Sequence, residues 1–120
     1  MFTLDSVLER YPLLSADGFD AEDPIAGDLR RRTDQIDAVL AYLRAGAPLD
    51  RAPSIGMYSY GLKHRIEEWA GRYISNGAAI AAALMLGWKM KRDPISGLNA
   101  TVSPPQGFRK RHPELAAAAR

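Results

Sequence analysis

Ile74-Ser75-Asn76-Gly77-Ala78-Ala79-Ile80-Ala81-Ala82-Ala83-Leu84-Met85-Leu86-Gly87 is the stretch that decides how this chain folds. Ser75 is a helix-capping residue, Gly87 a helix-stopping one, and no charge lies between them. The spacing predicts a helix over Asn76 to Leu86 that is apolar on every side, hence a core helix that others approach closely over its alanines. The same small-residue surface is a candidate for self-association, so a homodimer through this helix is a second expectation. From Gly77 to Trp88, the longest uncharged apolar stretch, a helix would cover roughly 18 Å, short of a ~30 Å hydrocarbon core. The expected element is a buried helix and no membrane span.

Beyond Gly87 the period changes to two. Trp88 and Met90 alternate with Lys89 and Lys91, Asp93-Pro94-Ile95-Ser96-Gly97 supplies a turn, and Leu98, Ala100 and Val102 alternate with Asn99, Thr101 and Ser103. This predicts a β-hairpin with a loop over residues 93–97. Pro104-Pro105 then breaks the pattern, and residues 104–120 form a basic tail that ends in a Pro113-initiated, alanine-rich segment.

On the other side, Leu62, Ile66, Trp69 and Tyr73 form an amphipathic stripe, predicting a helix from Ser59 to Tyr73. Residues 47–58, with Pro48, Pro53 and Gly56, read as a connector. Asp23-Pro24 is a helix-start signal, followed by a stripe of Ile25, Leu29, Ile36, Leu40 and Leu43 that Gly46 closes. On that helix Asp28 with Arg32 and Arg30 with Asp34 are spaced to pair, which makes Arg30-Arg31-Arg32 a solvated face. Residues 15–23 read as an acidic loop. Leu4, Val7, Leu8 and Tyr11 share one face of a short first helix, with Thr3 as its cap and Pro12 as its end. The expected fold is mainly α: a single domain over 1–103 with about four helices and a short C-terminal β-hairpin. Its acidic helices occupy 1–46 and its second half, 59–103, has the order of a helix-turn-helix followed by a wing.

The 120 residues, 47% hydrophobic and 25% charged, suit one core, and the net charge of +2 hides a division. Residues 1–50 carry five basic and ten acidic side chains, whereas residues 51–120 carry eleven basic and four acidic ones. The two halves either attract each other within the fold or present a basic surface to an acidic partner. Cysteine is absent, which excludes disulfides, thiolate zinc sites, iron–sulfur clusters and a cysteine nucleophile. With only His64 and His112, no metal set is expected, and no cofactor motif occurs. The opening Met1-Phe2-Thr3-Leu4-Asp5 lacks a positive segment before an apolar run, so the expected location is cytoplasmic.

Nucleic-acid contact is the leading functional expectation. Between Asn76 and Gly87 only Asn76 could read a base edge, so the predicted fourth helix is a poor recognition helix. Lys89, Lys91 and Arg92 on the hairpin, with Arg109, Lys110 and Arg111 on the tail, are the candidate phosphate contacts; lysine on an edge strand also discourages unwanted pairing. Tyr58 and Tyr60, beside Lys63, His64 and Arg65, form a second candidate patch, where an aromatic ring beside cations could stack on a base or simply rim the core. His64 and Glu68 stand one helical turn apart and could orient an imidazole as a general base, yet no nucleophile is fixed by spacing. Ser59 and Lys63 do not fit the Ser-x-x-Lys pattern, and no phosphate loop, HExxH or calcium loop occurs. A non-enzymatic binding protein is expected.

Ser59-Tyr60-Gly61-Leu62-Lys63-His64, Glu67, Tyr73-Ile74-Ser75-Asn76-Gly77, Ile80-Ala81-Ala82-Ala83 and Asn99-Ala100 together resemble a family of small proteins of bacterial prophages, plasmids and integrated mobile elements. The resemblance covers about residues 58–103. It implies a mobile-element setting, in which small accessory proteins act as regulators or as inhibitors of host defence, anti-CRISPR proteins among them. The expected partner is nucleic acid or a nucleoprotein complex, and a host-defence protein bound by protein–protein contact is the alternative.

Overall fold

The computed structural model describes residues 1–19, 28–45, 57–95 and 97–105. Its elements in chain order are helix α1 (Leu4–Arg10), strands β1 (Leu14–Ser15) and β2 (Gly18–Phe19), a 3-10 turn (Leu29–Arg31), helix α2 (Thr33–Arg44), strand β3 (Met57–Tyr58), helices α3 (Ser59–Ala70) and α4 (Asn76–Met85), and strands β4 (Lys89–Arg92) and β5 (Ala100–Ser103). Helices take 52% of the described residues, so the mainly helical expectation holds at that level, although the sheets are sizeable. Among the described residues no helix is long and apolar enough to cross a membrane.

The capping residues define α4 as the sequence requires. The Ser75 hydroxyl accepts the Ala78 N–H at 3.3 Å. Gly87 adopts a left-handed φ of 80° and donates to the Leu84 carbonyl at 3.0 Å, while Trp88 donates to Ala83 at 3.0 Å. These two bonds make a Schellman turn, which satisfies helix-end carbonyls and sends the chain into β4. Phe2 N–H takes the Met85 carbonyl at 2.7 Å, tying the N-terminal segment to the same end.

All ten residues of α4 are buried, against α1, α2 and α3 and against β1, β2, β4 and β5. This corrects the expected homodimer through the alanine-rich helix: the chain's own elements already cover its faces. It also places the second helix of the expected helix-turn-helix order at the centre of the core, with all of its residues buried.

The N-terminal end of α4 is locked by close backbone approach. Gly77 N–H donates to the Ala16 carbonyl at 2.8 Å, and a Cβ on Gly77 would fall onto the Ser15 carbonyl. Asn76 Nδ2 donates to the Asp17 and Leu98 carbonyls, each at 3.2 Å, and Phe19 N–H donates to Leu98 at 3.1 Å. Gly18, at φ 117°, fits only because it has no Cβ to strike that same Leu98 carbonyl. Gln35 of α2 accepts the Ser75 N–H at 2.9 Å, so α2 joins the same knot.

Several expectations are corrected here. The second helix begins at Thr33; Asp28 caps the 3-10 turn by accepting Arg30 N–H at 3.0 Å, and Arg32 leaves helical geometry at φ −117°. Asp23, Pro24, Ile25 and Gly46 lie outside the described residues. With no α-helix over 28–32, the expected Arg30–Asp34 pair does not form: Arg30 Nε meets Asp5 at 3.1 Å and Asp34 meets Arg72. Of the expected acidic loop, residues 15–19 belong to a hairpin with Leu14, Ser15, Ala16 and Phe19 buried, because α4 needs that backbone against Gly77. Met57 and Tyr58, read as connector, pair with Val102 and Thr101, so the hairpin becomes a three-stranded antiparallel sheet ordered β3-β5-β4. Leu98 stays out of β5, since its carbonyl serves Phe19 and Asn76, and the β4–β5 connection runs over 93–99. Helix α3 stops at Ala70, where Gly71 turns left-handed at φ 68°, leaving Trp69 and Tyr73 of the expected stripe exposed.

Replacing Gly77 by alanine should destabilise the protein by about 3 kcal/mol, because backbone has to move to admit the methyl group. Gly61→Ala is the control: that helical position meets nothing within 4 Å, so it should gain about 0.5–1 kcal/mol from helix propensity. Urea denaturation of both variants reads the contrast, and a neutral Gly77→Ala would refute the close approach.

Candidate functional site

The sequence placed its candidates on the hairpin, the tail and the start of α3, and the structure sorts them. In β4, Met90 pairs with Val102 and Met57 pairs with the same residue from the other side, so this row faces the core. Alternation puts Lys89 and Lys91 on the opposite, outer face, where both are exposed. Lys91 stands opposite Thr101, and Thr101 opposite Tyr58, giving a row that crosses all three strands; Lys89 stands opposite Ser103. The Tyr58 hydroxyl bonds Asp93 at 2.6 Å, which fixes the ring while it remains 41% exposed. Lys89 and Lys91 have no carboxylate partner among the described residues.

Arg92 does not belong with them. It falls on the Met90 side of the strand, with its guanidinium carbon 4.6 Å from the centre of the Phe19 ring and Nη2 3.4 Å from the Gly97 carbonyl. The expected continuous ledge of Lys89, Lys91 and Arg92 is therefore split across two faces, because a strand shows alternate residues to opposite sides. Arg109, Lys110 and Arg111 lie outside the described residues.

The second patch is assembled around Glu67. Its carboxylate accepts His64 Nδ1 at 2.8 Å, Lys63 Nζ at 3.3 Å and the Ile74 N–H at 3.1 Å. The expected His64–Glu68 pair is thus replaced by His64–Glu67, since Glu67 is the carboxylate turned towards the α3–α4 junction. Lys63, expected to be available to a phosphate, is buried: its ammonium lies 4.9 Å from the Tyr73 ring centre and 5.8 Å from that of Tyr60. Burial of the Glu67 carboxylate opposes its charge, but the Ile74 N–H, Lys63 and His64 outweigh this and hold its pKa below the ordinary 4.5. Asp34 behaves likewise: desolvation opposes ionisation, while the Gln35 backbone and Arg72 bring its pKa below 3.8. Asp34–Arg72 also joins the acidic half to the basic half, so the two segments do pair across the fold at this point.

Chemically, the Glu67 cluster is a clamp. His64 is half-exposed and its ring meets Tyr60 edge-on at 4.6 Å, yet no hydroxyl nucleophile is bonded to it among the described residues. No group of three His, Cys, Asp or Glu side chains there is placed to hold a metal ion. Glu67 is a contributor absent from the expected site residues, and Tyr58, expected only as a stacking ring or a rim of the core, sits on the sheet. The Lys63–Glu67 spacing of one helical turn was legible, whereas a two-residue strand carries too short an alternation to place Tyr58. Comparison with protein-family models, curated proteins and solved structures finds no match to this chain.

A carboxylate with a depressed pKa stabilises the fold above its unfolded value and loses that contribution as pH falls through the folded one. Wild-type stability should therefore drop as the pH is lowered from about 4.5, and Glu67→Gln should drop less steeply over that range while being weaker by about 1–3 kcal/mol at pH 7, with Lys63 left buried beside a neutral group. Denaturant midpoints at a series of pH values check both halves; parallel acid limbs would contradict the clamp.

Proposed function

We propose that the protein is a non-enzymatic binding module that contacts nucleic acid through the outer face of the β3-β5-β4 sheet. The observation that carries this reading is the row Tyr58–Thr101–Lys91, flanked by Lys89: an exposed ring and two cations on one side of a rigid sheet. Two lysines at alternate strand positions stand roughly 7 Å apart, a spacing that lets each meet a different phosphate. A ring on the same face gives a base something to stack on, which favours single strands, whose bases are open to stacking. Such a surface gives affinity and register with little sequence choice. The strand β5 ends at Ser103 opposite Lys89, so the chain leaves the sheet beside the lysine pair and continues in sequence to Arg109, Lys110 and Arg111. A mobile-element setting, implied by the resemblance of residues 58–103, accords with such a module.

A second reading is favoured by one further observation. Tyr60, Trp69 and Tyr73 are each more than half exposed, and Trp69 rests edge-on against Tyr42 at 5.4 Å. Half-exposed Trp and Tyr are the residue types that anchor protein interfaces. An inhibitor that binds a host-defence protein, of the anti-CRISPR kind, would use the exposed rings of Tyr60 and Tyr73, which both lie near the Lys63 ammonium, and nuclease-treated pull-down by wild type and Tyr73→Ala reads it.

The nucleic-acid reading is tested by fluorescence anisotropy with a labelled single-stranded oligonucleotide at several salt concentrations. Wild type should bind with strong salt dependence. Lys89→Gln with Lys91→Gln should lower the slope of log K against log salt by about 1.4, since each phosphate contact on a single strand contributes about 0.7. Tyr58→Ala should weaken binding by about 1–3 kcal/mol with the salt slope unchanged. No salt-sensitive binding by the wild type, or an unchanged double variant, would refute the proposal.

A further inference from the structure

A cleft of about 410 Å³ opens between α1 and the Schellman turn into β4, away from the row of Tyr58, Thr101 and Lys91. Its floor is core: Val7 of α1, Leu84 of α4 and the Trp88 ring, all nearly sealed from solvent. Phe2 forms one wall and Tyr11 another. Neither wall is loose. Phe2 is tied by its N–H to the Met85 carbonyl and its ring lies over Gly87; Tyr11 packs edge-on against Phe19 at 6.2 Å.

Two other lining residues have the opposite character. Arg10 of α1 and Lys89 of β4 also line the cleft, and both are exposed. Neither has a carboxylate partner among the described residues; Arg10 makes only a 5.7 Å approach to the Tyr11 ring, and the nearby α1 acid Asp5 is engaged by Arg30. An apolar floor with aromatic walls and two lining cations that have no carboxylate partner among the described residues favours one chemistry. The body of the ligand has to be flat and apolar, and its end has to be negative. The volume lies near the low end of the ~300–1,000 Å³ range of small-molecule sites, so the body is limited to one or two rings.

We propose that this cleft binds a small amphipathic anion, an aromatic or similarly flat apolar body carrying one acidic group, with the body against Phe2 and Tyr11 and the acid drawn to Arg10 and Lys89. Lys89 is shared with the sheet surface. Arg10 is not, and Lys91 is not part of the cleft, so the two sites separate by mutation.

The test is nuclear magnetic resonance of the full chain with 2-naphthoate as probe. The two tryptophan indole N–H signals are assigned by a Trp69→Phe variant, leaving Trp88 as the reporter in the cleft and Trp69 as an internal control on a different surface. 2-Naphthol supplies the same rings without the charge, and acetate supplies the charge without the rings. Naphthoate should shift the Trp88 signal saturably, with one molecule bound per chain and the Trp69 signal unmoved. Both comparators should bind at least about tenfold more weakly, and Arg10→Gln should weaken naphthoate by about tenfold while Lys91→Gln leaves it unchanged. Oligonucleotide binding should show the reverse pattern, so loss of one reading does not carry the other with it. Lys89→Gln is the second variant should Arg10→Gln disturb the fold. Equal binding of naphthol and naphthoate, or no saturable shift up to about 5 mM, would overturn the proposal.

Discussion

The contact on which this structure depends is the seating of Gly77 against the backbone of Ser15 and Ala16. A helix that is apolar on every side has to be enclosed, and enclosure leaves its first N–H groups without water. The chain meets that requirement with backbone brought from far away in sequence. Gly77 gives its N–H to Ala16, Asn76 holds the Asp17 and Leu98 carbonyls, and Ser75 receives support from Gln35. Through these bonds the N-terminal hairpin, the β4–β5 connection and α2 all converge on the first turn of α4. The positions of the sheet and of α3 follow from it.

Much of this was legible because the signals were local. Ser75 and Gly87 mark α4 at both ends, Thr3 caps α1 by accepting Ser6 N–H at 3.1 Å, and the alternation from Lys89 to Val102 gives the hairpin and its outward lysines. The illegible parts depend on contacts between distant segments. Arg32 interrupts what a stripe of apolar residues presented as one long helix. Lys63 reads as a solvated cation but is drawn inward by Glu67 and two tyrosine rings, a compensation visible only once the α3–α4 turn is closed. Arg92 looked like a third member of a basic cluster until the pleat sent it towards Phe19.

The residues on which a mobile-element setting is proposed have structural tasks in this chain. Ser59 Oγ accepts the Ala100 N–H at 3.0 Å, joining α3 to β5; Glu67 closes the α3–α4 turn; Asn76 and Gly77 hold the central joint. These tasks are architectural. The functional readings rest on other positions, Tyr58, Lys89, Lys91 and Arg10, which project from that architecture and do little to hold it together. Charge follows the same division. Asp34 and Arg72 neutralise one another across the two halves, while Lys89 and Lys91 on the outer sheet face have no carboxylate partner among the described residues.

The most direct measurement of the central joint is native-state hydrogen exchange at the Gly77 amide. If that N–H is held by Ala16 within the core, it exchanges only when the whole molecule unfolds, with the same opening free energy as Ile80 and Ala82 in the middle of α4. Exchange at Gly77 orders of magnitude faster than at Ile80, through local opening of the N-terminal hairpin, would contradict the account.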